Sequence, residues 1–305
     1  MAIQHIDVTL RDGGYRNQFH FDMEYAKAHV RGVASCGIEW LEIGYRNGSF
    51  KPIEDIGITG LSPNHYIAAL RESHLSAKLC VMAHPKNITA QDINHLHQLG
   101  INMLRLCLDN QRFDLTRTYI KIAKSLNLPI SLNLTRISQQ SLKQLLACAE
   151  FARETQVDVL YLADSNGSLT PARITNLIHM MHEVSTVKIG FHAHDNLGLA
   201  MSNSIAAINA GATFIDASLR GMGKGAGNLK LELWMSYLRK SQHIYHYDYA
   251  LLLEQAEQLE KTNMLPSNVA LDDLILGLFD LGIEDKERII ANTNNIGQIF
   301  KNAAA

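Results

Sequence analysis

The 305-residue sequence predicts an α/β fold, a closed (β/α)8 barrel with a small C-terminal all-helical extension, and three observations carry that prediction. Short apolar, β-branched runs recur eight times, and a segment of helical periodicity follows each one. Strict alternation implies parallel βα units with right-handed crossovers, and eight of them in about 240 residues match the size of a TIM barrel. The first strand–helix turn reads "LRDGGYRNQ" and so lacks the G-x-G-x-x-G of a doubly wound dinucleotide fold.

The strand runs are "IQHIDVTL" from Ile3, "WLEIGY" from Trp40, "KLCVMAH" from Lys78, "MLRLCLD" from Met103, "ISLNLT" from Ile130, "VLYLAD" from Val159, "KIGFHAH" from Lys188 and "FIDASL" from Phe214. Helical periodicity covers Asp22 to Ser35, Ser62 to Arg71, Thr89 to Leu99, Asp114 to Leu126, Ser138 to Glu154, Pro171 to Glu183, Asn196 to Asn209 and Leu229 to Arg239. Several of these open on a capping residue or an early Pro, and several close on Gly, as at Gly37, Gly100 and Gly211. Past Lys240 the strands stop. Asp248 to Thr262, Ser267 to Leu281 and Glu284 to Lys301 read as helices, which divides the chain into a catalytic barrel, 1–240, and an extension, 241–305. The tail segments are amphipathic enough to bury one face, either over the barrel or against a partner subunit.

A formal charge of -2 with no long run of one sign gives no footprint for nucleic acid or an anionic membrane. No apolar stretch approaches the roughly 20 residues of a membrane helix, and the chain enters strand-like alternation without a basic leader, so a cytoplasmic location is expected. Cys36, Cys80, Cys107 and Cys148 are widely spaced in apolar contexts and read as reduced core thiols.

A barrel of this kind works at the C-terminal ends of its strands. There the sequence places Arg11 and Asp12, Glu42 with Tyr45 and Arg46, His84, Arg105, Asn133, Asp164 to Asn166, His192 and His194, and Asp216 with Ser218. Residues two apart on a strand face the same way, so His192 and His194 can chelate one ion, with Asp12 adding a carboxylate and Asn228 an amide oxygen. Oxygen and imidazole donors suit Mn²⁺ or Mg²⁺ better than Co²⁺ or Zn²⁺. The bland alternative is a pair of structural or surface histidines. Arg11 could stabilise a developing enolate oxygen, or form an ion pair with Glu42, or do both. The loop "GMGKGAGN" departs from the Walker pattern, leaving an anion cradle or a tight turn that presents Asn228. Arg105, Asn133 and Ser165 are candidates for substrate contact.

Read together, "TLRDGGYRN", "LEIGY", "YLADSNGSLTP", "FHAHDNLGLA" and "DASLRGMGKGAGN" resemble the metal-dependent pyruvate aldolase and lyase superfamily, which includes 4-hydroxy-2-oxovalerate aldolase, HMG-CoA lyase and isopropylmalate synthase. The aldolase branch is the most similar, because the last loop holds Met222 and Lys224 where the CoA lyases carry a catalytic cysteine. The resemblance implies a carbon–carbon lyase that cleaves a 4-hydroxy-2-oxo acid to pyruvate and an aldehyde. It also implies Asp12, His192 and His194 as metal ligands, Arg11 as the group facing the enolate, and an aldehyde dehydrogenase or a second copy of the chain as partners. An acyl-CoA-dependent Claisen synthase and a non-catalytic binding subunit are the alternatives. One departure stands out: the aldolases carry a basic histidine three residues past the strand-one aspartate, and here Tyr15 holds that place. Metal-bound water, His20 or His84 is left to act as the base. Arg16, Arg46 and Arg105 suggest an acidic acceptor, or else simple ion pairs on the rim.

Overall fold

The computed structural model describes residues 3–108, 113–244, 246–262, 271–291, 293 and 296–304. Eight strands form the barrel: β1 (Gln4–Asp7), β2 (Trp40–Tyr45), β3 (Lys78–Ala83), β4 (Met103–Cys107), β5 (Ile130–Leu134), β6 (Val159–Asp164), β7 (Lys188–Ala193) and β8 (Phe214–Ala217). They pair in chain order and in parallel, and β8 closes on β1 with Ile6 opposite Asp216.

Alternation divides each strand between two cores. On β4, Leu104 and Leu106 join the apolar layer under the helices, whereas Met103 joins the barrel interior with Ile6, Val8, Cys80, Val159, Tyr161 and Phe214. Tyr161 fills that interior because Gly190 makes room for it. A Cβ at Gly190 would lie 2.6 Å from the ring.

The barrel helices are α1 (Met23–Ser35), α2 (Ile58–Leu61), α3 (Asn64–Ser73), α4 (Ala90–Gln98), α5 (Phe113–Ser125), α6 (Leu142–Thr155), α7 (Pro171–Val184), α8 (Ala200–Asn209) and α9 (Leu231–Ser241). Asp22, Thr89 and Ser141 cap α1, α4 and α6 by accepting backbone N–H groups of the first turn. Two expected helix starts shift by a full turn. The α6 cap is Ser141 and not Ser138, whose hydroxyl is taken by a tail residue. The α8 helix starts at Ala200, because Asp195 Oδ1 accepts from Ala200 N after a turn over Asn196 to Leu199.

In the extension, α10 (Tyr249–Glu260) packs on α1 and places Leu252, Ala256 and Leu259 in the main core. The expected start of the second tail helix at Ser267 falls outside the described residues, within which α11 spans Leu271–Leu278. The third expected helix is divided into α12 (Lys286–Ile290) and α13 (Ile296–Ala304). These last three helices share a small core of Ile275, Leu276, Ile289, Ile299 and Ala303. Among the described residues no helix is long and apolar enough to cross a membrane.

Candidate metal and substrate site at the barrel mouth

A cavity of about 940 Å³ opens at the C-terminal ends of the strands. Arg11, Asp12, Tyr15, His84, Asn133, Ser165, His192 and His194 line it, together with Leu276, Leu281, Ile283 and Glu284 from the extension. The helix α11 and the turn that follows it therefore lie over the mouth as a cap, one of the two roles open to the tail from its sequence. Asp280 staples the cap in place. Its carboxylate accepts from Ser138 Oγ (2.6 Å), Ser168 Oγ (2.8 Å) and Asn166 Nδ2 (2.8 Å), and Asn196 Nδ2 donates to the Asp273 carbonyl.

β1 stops at Asp7, short of the expected Leu10. Val8 O accepts from both Arg11 N and Asp12 N, so the chain turns there and carries these side chains to the mouth. The nearest ligand atoms of Asp12, His192 and His194 lie within 4.8 Å of one another. His192 Nε2 and His194 Nε2 are 3.3 Å apart, and each is about one cation's span from Asp12 Oδ2, at 4.0 and 3.9 Å.

The outer nitrogens fix the tautomers. His192 Nδ1 donates to Asp216 Oδ2 at 3.0 Å, and His194 Nδ1 donates to the Lys224 carbonyl at 3.2 Å. With Nδ1 donating, Nε2 of each ring faces the other ring and a carboxylate. Three converging lone pairs repel one another unless a cation sits among them. Burial pushes His194 down to about 4, which keeps it a neutral donor. Burial opposes charge on Asp12 too, but Arg11, His194 and His192 together hold its carboxyl well below the usual range. Asn228 faces His194 across an isolated bridge, and among the described residues its buried Oδ1 has no hydrogen-bond partner. The donor set thus fits a hard divalent cation.

The glycine loop presents that amide, and the tight-turn reading describes it. Asn228 N donates to Gly221 O and Lys224 N to Asp12 Oδ2. A Cβ at Gly223 would lie 2.5 Å from the Asn228 side chain, so the turn needs glycine there.

Beneath the site runs a closed circuit of buried charge. Arg11 reaches Asp12 with NH1 and Glu42 with Nε. Glu42 Oε1 lies 3.0 Å from Arg105 NH1, Arg105 NH2 donates to Asp216 Oδ2 at 2.8 Å, and Asp216 returns to His192. Two guanidinium groups against three carboxylates leave one negative charge, which a divalent cation over-neutralises in favour of an anionic ligand.

Several expected site residues sit elsewhere. Arg105 is fully buried, lies 4.2 Å over the Tyr161 ring and does not line the cavity, so it braces the circuit instead of touching substrate. Glu42 is likewise sealed below the mouth and holds Arg11. His20 is half exposed, pairs with Asp55 and lies off the cavity lining. Arg46 pairs with Asp92 at 3.0 Å, the rim ion pair that was its alternative reading. Asn133 and Ser165 do line the cavity, where Asn133 Oδ1 accepts from Ser131 Oγ and Ser165 Oγ accepts from Arg136 N.

Tyr15 reaches the mouth and its hydroxyl lies 3.3 Å from that of Tyr45. Burial pushes it up to about 12 despite that contact, so it stays a phenol. His84 lines the same wall, stacked on Tyr45, with Nε2 3.7 Å from Cys107 Sγ. Asp216 and the Lys224 backbone were missed as supports for the histidines. The inward parity of β8 beside β7 could have revealed Asp216.

The model of the HMGL-like family matches residues 2–259. The 4-hydroxy-2-oxovalerate aldolase of Carboxydothermus hydrogenoformans is 30% identical over 86% of this chain and 78% of its own length. The oxaloacetate decarboxylase of Mycobacterium tuberculosis is 27% identical over 82% of this chain and 74% of its own. Among solved structures, the N-terminal domain of a Bacteroides vulgatus protein superposes with a TM-score of 0.86 at 29% identity, covering 98% of this chain and 99% of that one. Closed barrel, converging Asp and His donors and co-ordered motifs agree with these likenesses, and the chain belongs to the HMGL-like family as an enzyme of its aldolase branch.

Proposed function

We propose that this enzyme cleaves a 4-hydroxy-2-oxo acid to pyruvate and an aldehyde, or joins the two in reverse, with Mn²⁺ or Mg²⁺ held by Asp12, His192, His194 and Asn228. The observation that carries the reading is the convergence of three lone pairs beside the Arg11 guanidinium at the floor of a capped cavity. When bound, the cation supplies Lewis acidity, drawing electrons toward the 2-oxo group of the substrate.

Arg11 faces the oxygen on which charge develops, and it cannot lose its proton to that oxygen. Glu42 and Asp12 fix the guanidinium before the reaction, so little reorganisation is left to the step itself. Cleavage requires a proton to leave the 4-hydroxyl. Tyr15 is held as a phenol and is suited to donating a hydrogen bond. With His20 turned away from the mouth, His84 is, among the described residues, the cavity-lining imidazole outside the proposed chelate, and we assign it the proton. The C3–C4 bond then breaks, the aldehyde leaves, and protonation at C3 gives pyruvate.

A second reading is favoured by Tyr15. Loss of CO₂ from a 2-oxo acid with a 3-carboxylate passes through the same enolate and needs no base at C4, and one relative bears the name of such an enzyme. A single assay weighs both. Purified protein with Mn²⁺ should release pyruvate from a panel of 4-hydroxy-2-oxo acids, read by coupling to lactate dehydrogenase, and chelation should stop it. Release from oxaloacetate alone selects the second reading, and silence across the panel with and without metal overturns both.

A further inference from the structure

Above the metal pole, the cavity wall carries a second charged cluster that neither the chelate nor Arg11 uses. Lys224 Nζ donates to Glu284 Oε1 at 2.7 Å, and Arg136 NH2 lies 3.0 Å from Glu284 Oε2. All three residues line the cavity. One carboxylate thus answers two cations, as a bound ligand carboxylate would.

Its position points to the aldehyde half of the substrate. The Lys224 backbone holds His194 and Asp12, while its ammonium lies 5.3 Å over the ring of Tyr15, the residue where the aldolases carry their C4 base. Arg136 is also placed with care. It adopts a left-handed φ of 52°, an uncommon state for a residue other than glycine, and its N–H is held by Ser165 Oγ. Glu284 is not needed to seat the cap, because Asp280 and Asp273 tie it down through separate contacts. A volume of about 940 Å³ leaves room beyond a three-carbon keto acid and a small aldehyde.

We propose that Lys224 and Arg136 form a subsite for a second anionic group, a carboxylate or a phosphate, on the aldehyde half of the substrate, with Glu284 occupying it when no ligand is present. The preferred acceptor is then an aldehyde acid or an aldehyde phosphate. This inference rests on the aldolase reading of the same site.

The test is condensation with pyruvate by the full chain and Mn²⁺, comparing succinic semialdehyde with pentanal and glyceraldehyde 3-phosphate with glyceraldehyde. The wild type should favour the anionic member of at least one pair roughly tenfold in kcat/KM, mostly through KM, and the favoured pair names the anion. Arg136→Met should cut that preference roughly fivefold, the worth of one half-exposed ion pair at about 1 kcal/mol. Glu284→Gln should raise it by removing the competing carboxylate. The ratio for one variant cancels any general loss of folded protein. A ratio near one in the wild type, or one unmoved by both substitutions, overturns the subsite while leaving an aldolase. No product from any aldehyde overturns the aldolase and the subsite together.

Discussion

The two poles of the cavity are built from the same kinds of side chain and behave as opposites. At the floor, Arg11, Asp12, Glu42, Arg105, Asp216 and His192 are all buried and linked in sequence, the circuit closing across the 4.0 Å between His192 and Asp12. At the rim, Lys224, Arg136 and Glu284 are between a quarter and a half exposed and pair in an open chain across the cap boundary. A buried circuit cannot lose one member without stranding a charge, so it holds donors fixed. An open, half-wet chain exchanges partners at low cost, so it suits a group that must come and go. Fixed chemistry below and exchangeable recognition above is the division the comparison teaches.

The strongest way to break it is at the floor. Asp12→Asn removes the carboxylate that both imidazoles face and leaves Arg11 with one partner fewer. We expect metal-dependent pyruvate release to fall roughly a thousandfold, in keeping with the several kcal/mol a bound cation supplies. Mn²⁺ titration by calorimetry should show weakened binding as well. Full affinity with lost turnover would separate Asp12 from the chelate.

Glu42→Gln tests whether the circuit is structural as well as orienting. It leaves Arg11 and Arg105 buried beside a neutral amide, a loss of about 3 kcal/mol in unfolding free energy by urea denaturation. A loss no larger than that of a rim residue would erase the contrast between the poles.

Between the poles stands the proton step. His84→Gln should lower retro-aldol turnover roughly a hundredfold, the usual worth of a general base, while Tyr15→Phe costs less than tenfold. Oxaloacetate decarboxylation, which asks for no base at C4, should be nearly indifferent to His84→Gln. Equal loss of both reactions would return His84 to a packing role on Tyr45.

The barrel was legible in the sequence because each strand divides its side chains between two apolar layers, and that alternation survives in the order of residues. His192 and His194 were legible for the same reason, since parity tells inward from outward, whereas Asp12, beyond the end of β1, was legible only by its place after the first strand. Parity does not tell depth. Arg105 has the inward parity of a mouth residue, but Cys107, two residues further along β4, is the one that lines the cavity, and Arg105 sits a layer lower, inside the charge circuit. His20 failed differently: proximity in sequence to Tyr15 said nothing of the turn that sends it toward Asp55. The tail's amphipathic helices were legible and left the cap as one of two roles, but the contacts that seat it were not, because Asp280 and Glu284 meet loops more than 50 residues away in sequence, and no local period encodes such a contact.

The smallest expected effect sharpens the rim. Burial opposes charge on Glu284, but the Lys224 hydrogen bond and charge, with Arg136, hold it down to about 2. A carboxyl depressed in the folded state adds stability above its ordinary value, near 4.5, and that contribution is lost as pH falls from there toward 2. The wild type should therefore exceed Glu284→Gln by about 1 kcal/mol at neutral pH, the scale of a partly exposed pair, and the gap should narrow between pH 5 and pH 3. Urea unfolding of both proteins across that range reads it directly. If an anionic aldehyde occupies the subsite, adding it at neutral pH should shrink the same gap, because the ligand then takes the cations that Glu284 gives up. A gap that neither acid nor ligand alters would mean that Glu284 is a fixed staple of the cap, and the rim would behave like the floor.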